Sequence, residues 1–310
     1  MKSENLAWLI RRHGIEMTHL SGGSHIAPIL SVADIMAVLY GEVLKIDPQN
    51  PKSEDRDRFI LSKGHAGASV YAALAESGFF PVEELKTHYQ NGSRLSGHVS
   101  HHLPGVDFST GSLGHGLSAG AGMAYGIKKK GKNNKVYVVL GDGECNEGSV
   151  WEAALFANHN NLDNLVAVVD HNKMQSMDLC EKTLALSNFV AKWQAFGWNV
   201  IDIDGNNHDE LKNAFAKKFD NQKPTVVIAN TIKGKGVSFM EMDILWHYRF
   251  PHDGWEYDNA VAELHKVKPE GVTDPYTPNG IENPEPIPAD ADAYRDHTTS
   301  ATWHPTWNVK

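Results

Sequence analysis

A glycine-flanked aspartate and a single asparagine are the residues of this sequence whose types and spacing best suit metal chemistry. Gly141, Asp142 and Gly143 follow the apolar run KVYVVL, and Asn172 follows a second run, LVAVVD, 30 positions after Asp142. A carboxylate and an amide oxygen are ligands that Mg²⁺ favours, and they leave positions free for a backbone carbonyl, water and diphosphate oxygens. The glycines permit close approach of such an anion, and the N-terminus of a following helix favours its charge. The pattern predicts a diphosphate held through a divalent cation.

The same residues have a plainer interpretation, in which GDG is an ordinary turn and Asn172 caps the end of a strand. The order strand, GDG, helix, strand, Asn favours the metal site over that alternative. Both polar residues then follow neighbouring parallel strands, and the carboxyl ends of such strands form the edge where open α/β sheets bind ligands.

The elements that must position these residues are predicted from the apolar pattern. Buried strands are predicted at 135–140 and 165–170, and further strands at 199–204 and 225–230, with helices at 116–130, 149–160, 188–196 and 209–219. Strands alternating with helices at this spacing predict an α/β fold with a doubly wound parallel sheet. The first hundred residues predict mainly helix and loop: an amphipathic helix begins at the N-terminus, and others are expected at 32–44, 67–77 and, after Pro81, 82–89. Residues 91–116 are predicted to be loop.

The composition changes near residue 268. Seven of the 14 prolines lie between Pro269 and the C-terminus, without apolar periodicity. We therefore expect one domain over residues 1–268 and a proline-rich tail over 269–310 that has no core of its own. Trp303 and Trp307 are costly to leave in water, so the tail is expected to cover a neighbouring surface.

Charge and cysteine content narrow the class of protein. The formal net charge of −9 argues against nucleic acid or an anionic membrane as the main partner. Cys145 and Cys180 are too few for a disulfide scaffold and favour a reducing compartment. The N-terminus has no signal-peptide pattern, and no run of about 18 apolar residues predicts a membrane span. A cytoplasmic location is expected.

Four further segments keep the order and spacing of one enzyme family. They are SHIAPILSVADI, RDRFILSKGHA, SGHVSHHLPGVDFSTGSLGHGLSAGAGMA and NTIKGKGVSFMEMDILWHYRFP. GDG followed about thirty residues later by Asn is itself the signature of enzymes that use thiamine diphosphate. From about residue 5 to residue 265 the chain resembles the N-terminal, thiamine diphosphate-binding part of transketolases.

The resemblance implies roles residue by residue. The implied ligands of Mg²⁺, or of another divalent cation such as Ca²⁺ or Mn²⁺, are Asp142, Asn172 and the carbonyl oxygen of Met174. The implied further contacts of thiamine diphosphate are His65, Gly111, Ser112, Leu113, Gly143 and His247. The implied catalytic residues are His25, His65, His98, His247 and Glu147. The histidines would converge on the thiazolium and the sugar hydroxyls, and Glu147 matches a buried glutamate that links two cofactor sites across a dimer interface.

A transketolase moves a two-carbon ketol unit from a ketose to an aldose, and the resemblance implies that this chain cannot do so alone. In the family, a carboxylate from a second, pyrimidine-binding α/β domain activates the cofactor. The residues after 268 are too few for such a domain. We therefore expect a split transketolase in which a second subunit supplies it, assembled as a heterotetramer that acts on sugar substrates.

Three departures from the split-transketolase pattern bear on which substrate is bound and leave the predicted cofactor unchanged. His115 stands in GSLGHG where glutamine is usual, and Ala27-Pro28 follow the first histidine in place of small residues. WHYRF replaces WHG followed by a small residue, so Tyr248 and Arg249 crowd the position beside His247. Arg249 could pair with an anionic group of the substrate, although a surface ion pair is the favoured expectation.

Other interpretations remain open on the sequence. Within thiamine enzymes, the chain could be a subunit of a 2-oxo-acid dehydrogenase or a relative of deoxyxylulose-phosphate synthase, although RDRFILSKGHA and KGKGVSFME favour transketolase. A non-catalytic regulatory homologue is a third possibility, but Asp142, Asn172 and the histidines are all present. The cluster His98–His102 could suggest zinc, yet it lacks a further ligand pair. A loop beside the substrate is expected there instead.

Overall fold

A parallel sheet forms the centre of the computed structural model, which describes residues 1–288 of the 310-residue chain. Its strands are β1 (Arg58–Leu61), β2 (Val136–Gly141), β3 (Leu165–His171), β4 (Asn199–Asp204) and β5 (Thr225–Asn230). Each strand pairs in parallel with its neighbours, in the order β1-β2-β3-β5-β4. The predicted α/β fold with a doubly wound parallel sheet is confirmed.

Helices cover both faces of the sheet. They are α1 (Ser3–Ser21), α2 (Ile26–Val38), α3 (Gly67–Glu76), α4 (Gly116–Lys129), α5 (Gly148–His159), α6 (Cys180–Leu184), α7 (Phe189–Ala195), α8 (His208–Ala216) and α9 (Trp255–Lys266). On one face α1, α2, α3 and α8 pack against residues such as Tyr137 and Val139 of β2. On the other face α4, α5 and α7 pack against Val138 and Leu140. The alternation follows from the two-residue period of a strand, and it explains why the central strand β2 is buried along its whole length.

Several predicted elements need correction. The helix expected at 32–44 begins earlier, at Ile26, and is followed by a π-helical turn, Leu39–Val43. Pro28 lies in its first turn, where the missing amide hydrogen removes no helical bond. The segment after Pro81 forms a 3₁₀-helix, Val82–Thr87, rather than an α-helix, because Leu85 is its only buried side chain and no apolar stripe holds it. Strand β1 and helix α9 were not predicted.

The residues that follow α9 return to the N-terminal helix. We call residues 269–281 the C-terminal strap. Its Asp274 accepts a hydrogen bond from Nε of Arg12 at 2.8 Å, and both side chains are fully buried. The hydroxyl of Tyr276 bonds to Nδ1 of His13 at 2.7 Å. The boundary expected at residue 268 stays a prediction, and Trp303 and Trp307 lie outside the described residues.

One segment has the composition of a membrane span. Residues Ile26–Val43 have a mean hydropathy of 1.7 over 18 residues, but 83% of this window is buried inside the protein. The expectation that the chain has no such run is therefore wrong by composition. A buried core helix near the N-terminus meets the same criteria, so the segment is weak evidence for a membrane span.

Candidate active site

Loops from the carboxyl ends of four strands, together with the turn before α2, surround a cavity of about 490 Å³. Its lining includes eleven residues that the sequence predicted for the site, namely His25, His65, His98, Gly111, Leu113, Asp142, Gly143, Glu147, Asn172, Met174 and His247. Ser112 is exposed and does not line the cavity. Residues separated by more than 200 positions in the sequence thus meet at the edge where parallel sheets bind ligands.

Asp142 is held by the turns after β2 and β3. Its Oδ1 accepts a hydrogen bond from the amide of Gly143 at 2.7 Å, and its Oδ2 accepts one from the amide of Lys173 at 2.5 Å. The side chain is buried, and burial raises the pKa of Asp142, an effect that His171 opposes. Among the described residues Asp142 forms no salt bridge, so a cation bound beside it would stabilise the charged carboxylate.

Asn172 is fixed by a buried polar network at the end of β3. Its Nδ2 donates to Oγ of Ser31 at 3.1 Å and to Asp170 at 3.4 Å, and its Oδ1 accepts from the amide of Met174 at 3.1 Å. Asp170 is fully buried and also accepts from Nζ of Lys63 at 2.5 Å. These bonds fix which end of the Asn172 amide carries the oxygen, because its nitrogen already has two acceptors.

A second buried lysine crosses from the turn after β5. Nζ of Lys233 donates to the carbonyl oxygens of Met174 at 3.4 Å and Gln175 at 2.9 Å, and lies 2.8 Å from Nδ1 of His247. Burial, with a smaller contribution from the nearby charge of Lys63, lowers the pKa of Lys233 to about 7. The side chain therefore joins the predicted carbonyl ligand to the histidine cluster.

The four predicted histidines form one cluster. The ring of His25 lies 5.2 Å from those of His65 and His247 and 5.9 Å from that of His98, measured between centroids. Burial lowers the pKa of His25 to about 4 and that of His247 to about 2, and it lowers the pKa values of His65 and His98 as well. At neutral pH the imidazoles are uncharged, so each has one donor and one acceptor nitrogen.

His25 is held in an uncommon conformation. Its φ of 78° lies in the left-handed region, which is costly for a residue with a Cβ atom. Its Nδ1 is buried and has no hydrogen-bond partner among the described residues. Backbone strain and a buried nitrogen without a hydrogen-bond partner thus occur in the same residue, which indicates a ligand-binding role.

Glu147 differs from its expected surroundings. It lines the cavity, but in this chain by itself it is exposed rather than buried. The expected burial is at an interface between chains, which a single chain cannot provide. The buried glutamate is Glu144, whose carboxylate accepts from the amides of Gly114 at 2.8 Å and Gly141 at 3.1 Å and fixes the turn after β2.

The residues around Asp142 fit a diphosphate with a divalent cation. Asp142 and Asn172 each present an oxygen with lone pairs to spare, and the carbonyl of Met174 lies within the same polar network, where it accepts from Nζ of Lys233. A Cβ atom at Gly143 would lie 2.7 Å from the side chain of Gln175, so only glycine leaves this backbone accessible. No group of three or more His, Cys, Asp or Glu side chains suitable for a metal occurs within residues 1–288, so the His98–His102 cluster gives no support for zinc.

The sequence did not identify four residues of this site: Ser31, Lys63, Asp170 and Lys233. Lys63 and Lys233 lie within segments that carried the family resemblance, but a lysine in a glycine-rich turn is usually exposed. A usable signal did exist for Asp170. It is the last residue of an otherwise apolar run, so it was bound to be buried and in need of partners.

Comparison with known proteins identifies the family. The family model described as "Transketolase, thiamine diphosphate binding domain" matches residues 3–245. The SqwG subunit of the 6-deoxy-6-sulfo-D-fructose transketolase of a Clostridium species is 42% identical over 85% of this chain and 96% of its own length. One subunit of the apulose-4-phosphate transketolase of Phocaeicola vulgatus is 39% identical over 82% of this chain and 90% of its own length.

Solved structures agree with these sequence relatives. The transketolase of Leishmania mexicana superimposes with a TM-score of 0.80 at 26% identity, over 96% of this chain but 45% of its own chain. The present chain thus spans less than half the length of that enzyme. The resemblance to transketolases predicted from the sequence is confirmed, and the chain belongs to the transketolase family through its thiamine diphosphate-binding domain.

Proposed function

We propose that this chain is the diphosphate-binding subunit of a thiamine diphosphate-dependent transketolase, a transferase that moves a two-carbon ketol unit from a ketose to an aldose. One observation carries the proposal. The buried oxygen donors Asp142 and Asn172 lie in the same cavity as the cluster of His25, His65, His98 and His247. Asp142 and Asn172 can bind a metal that holds a diphosphate, and the histidine cluster can bind the hydroxyl groups of a sugar.

The cofactor would be held mainly by the turns after β2 and β3. Asp142, Asn172 and the carbonyl of Met174 would ligate Mg²⁺, or Ca²⁺ or Mn²⁺ in its place, and the amide and open backbone of Gly143 would face the diphosphate. Gly111 and Leu113 also line the cavity. Bound thiamine diphosphate supplies a carbon nucleophile that accepts the ketol unit. Ser112 is the predicted contact with the least support, because it is exposed and does not line the cavity.

The histidines would orient the sugar and move protons at its hydroxyl groups. Because their pKa values are lowered by burial, the imidazoles start neutral, and a neutral imidazole can accept a proton through one nitrogen while donating through the other. Nδ1 of His247 is already engaged by Lys233, so Nε2 of His247 is the atom left to face the substrate. Nδ1 of His25 is without a partner among the described residues and offers a second position.

A second polypeptide would complete the site. The relatives from Clostridium and Phocaeicola vulgatus are named as transketolase subunits, and the match covers 96% and 90% of their lengths. Around the cavity, Met177, Leu184 and Tyr248 are 71%, 59% and 61% exposed, which suits a surface that another chain covers. We infer that this other chain supplies the pyrimidine-binding domain with its activating carboxylate, that Glu147 becomes buried on assembly, and that the complex is a cytoplasmic heterotetramer.

The donor is proposed to be a ketose that carries a phosphate or another anionic group. Two relatives are named for a sulfonated sugar and a sugar phosphate, which supports an anionic substrate class. Arg249 does not line the cavity, and its guanidinium bonds to Glu256 and lies over the ring of Trp246. We therefore infer that the second subunit binds the anionic group of the sugar.

Reconstitution tests this function. The chain would be co-expressed with a polypeptide that carries a transketolase pyrimidine-binding domain, sought among neighbouring reading frames. The purified complex would be assayed with thiamine diphosphate, Mg²⁺ and panels of ketose donors and aldose acceptors. Ketol transfer that requires both chains is the expected result. Decarboxylation of 2-oxo acids without ketol transfer would favour a dehydrogenase or synthase subunit, and cofactor binding without turnover of either class would favour a regulatory homologue.

A further inference from the structure

Tyr248 occupies the mouth of the cavity. Its ring lies 4.6 Å from the ring of His247 and 5.3 Å from that of His25, measured between centroids, and it belongs to the cavity lining. The two histidines are largely withdrawn into the protein, whereas Tyr248 is 61% exposed. A sugar in contact with both imidazoles would therefore lie beside the tyrosine ring.

The backbone beneath Tyr248 is fixed on both sides. The amide of Tyr248 donates to the carbonyl of Leu245 at 3.4 Å, and the carbonyl of Arg249 accepts from the amide of Ile26 at 3.5 Å. The guanidinium of Arg249 bonds to Glu256 on α9 and lies 4.8 Å from the ring of Trp246. Because these contacts hold the neighbours of Tyr248, its ring projects from a defined position rather than from a free loop.

The space that this ring fills is open in the split-transketolase sequence pattern, which has glycine after the histidine. A phenol ring there adds a flat apolar face and a hydroxyl group beside the sugar path. Among the described residues the contacts of Tyr248 are made by its ring, which lies against the rings of His25 and His247. Because the same ring lines the cavity, it is placed to contact a ligand that binds to these histidines.

We propose that Tyr248 is a specificity-determining residue that limits the bulk of the sugar chain beyond the transferred two-carbon unit. This inference rests on the proposed function and deepens it, because it concerns which ketoses and aldoses reach the histidines. The Tyr248 ring already contacts the rings of His25 and His247, so a sugar chain must run over its exposed face, where branched or long chains collide with the ring or lose contact. Differences of one or two carbon groups in such a pocket change kcat/KM by about 10–200-fold.

Three variants of the reconstituted complex test the inference. Tyr248→Gly opens the mouth, Tyr248→Phe keeps the ring, and Tyr89→Gly removes a tyrosine of equal exposure (59%) that does not line the cavity. We expect Tyr248→Gly to raise kcat/KM for seven-carbon ketose phosphates relative to four-carbon ketoses by about tenfold or more. Tyr248→Phe and Tyr89→Gly should keep the wild-type ratio. A ratio within twofold of wild type for Tyr248→Gly overturns the proposal.

A second measurement does not depend on catalysis. Diethyl pyrocarbonate modifies accessible neutral imidazoles, and mass spectrometry of the full-length chain gives the rate at each histidine. Tyr248→Gly should speed modification of His25 and His247 severalfold, whereas Tyr248→Phe and Tyr89→Gly should match wild type. Unchanged labelling would show that the ring does not cover the cluster and would overturn the proposal. If the wild-type complex transfers no ketol unit at all, the proposed function is wrong, and the labelling still decides whether Tyr248 covers these imidazoles.

Discussion

Asp142 is buried at the edge of the cavity without an ion-pair partner among the described residues, and its carboxylate is costly to keep charged. Asp142→Asn keeps an oxygen that can accept from the amide of Gly143 but removes the charge. We expect thiamine diphosphate affinity in the reconstituted complex to fall by about 100-fold or more, because Mg²⁺ loses its anionic protein ligand. The thermal stability of the free chain should change little, because removal of a buried charge offsets the loss of the acceptor for the amide of Lys173.

Calorimetry of cofactor binding and thermal unfolding of the free chain measure both effects. Asp163→Asn is the matched control, since this exposed aspartate pairs with Lys128 and does not line the cavity. It should change neither quantity appreciably. Unaltered cofactor affinity in Asp142→Asn would contradict the assigned metal ligand, whereas a large loss of stability would mean that the carboxylate serves the fold.

His247 tests the histidine cluster separately from cofactor binding. Its Nδ1 contacts Lys233, and its other nitrogen is available to the sugar. His247→Ala should lower kcat by about 10²–10⁴-fold, which is the usual contribution of a positioned proton-transfer group. Cofactor affinity should change far less. Steady-state kinetics and calorimetry on the complex give the two numbers, with the exposed His159→Ala as control. Turnover within about twofold of wild type would remove His247 from the mechanism.

At the residue scale, spacing alone could predict Asp142 and Asn172, because chemistry and strand order both constrain them. The histidines were found through family resemblance, since a lone histidine has no local signal that separates ligand contact from packing. Lys233 shows most clearly which site residues the sequence does not reveal. It is 1% exposed, whereas Lys235, two positions later in the same glycine-rich turn, has a side chain that is 37% exposed. Only the tertiary path of the turn distinguishes them.

Among the elements, the contact between α1 and the C-terminal strap contains the most heavily buried ion pair outside the cavity within residues 1–288. Arg12 bonds to Asp274, Glu16 and Thr277 from a fully buried position. Arg12→Met should lower the free energy of unfolding by about 3 kcal/mol, the lower end of the range for a broken buried ion pair, because Asp274 and Glu16 lose the guanidinium while His265 still bonds to Asp274. Urea unfolding of the free chain measures the loss.

The matched control for Arg12 is Lys132→Met. Lys132 pairs with Glu54 and Asp55 on the surface, where the partner side chains are 70% and 87% exposed. A change of less than about 1 kcal/mol is expected there. If Arg12→Met were as mild as Lys132→Met, the strap would be loosely attached, and a domain boundary near residue 268 would gain support.

Strands β2, β3, β4 and β5 were predictable because each is a run of six or seven residues between polar turns. Strand β1 has four residues and follows Arg56 and Asp57, so its apolar run is too short to indicate an element. Its place at the edge of the sheet depends on pairing with β2, a contact that joins positions nearly 80 residues apart. Helix α9 has a weak apolar stripe of Ala260, Val261 and Leu264, which becomes clear only against α1.

For the whole molecule, buried neutral histidines predict how stability depends on pH. Burial lowers the pKa of His88 to about 4, and it lowers the pKa values of His25, His65 and His247 as well. Below about pH 6.5 the unfolded chain binds protons that the folded chain does not, so stability falls as the pH drops from about 6.5 towards 4. Each histidine contributes up to about 1.4 kcal/mol per pH unit.

His88 isolates this effect because it lies outside the cavity lining. His88→Asn should reduce the slope of unfolding free energy against pH between about 6.5 and 4, whatever it does to stability at neutral pH. Exposed His159→Asn should leave the slope unchanged. Urea unfolding at several pH values provides the comparison, and identical slopes for wild type and His88→Asn would mean that folding does not lower the pKa of His88.

The last prediction concerns the coupling between cofactor and partner. Tyr248 lines the cavity and is exposed, and Met177 and Leu184 are exposed next to the lining residues Ser176 and Asn146, so a cofactor bound to the free chain would leave its pyrimidine in water. Thiamine diphosphate should therefore bind the free chain weakly and show no ketol transfer there, and the second subunit should tighten its binding at least about tenfold. By linkage, thiamine diphosphate with Mg²⁺ must tighten the binding between the two subunits by the same factor. Calorimetry of all four binding steps closes this cycle. Equal cofactor affinity with and without the second subunit would mean that this chain forms the cofactor site by itself.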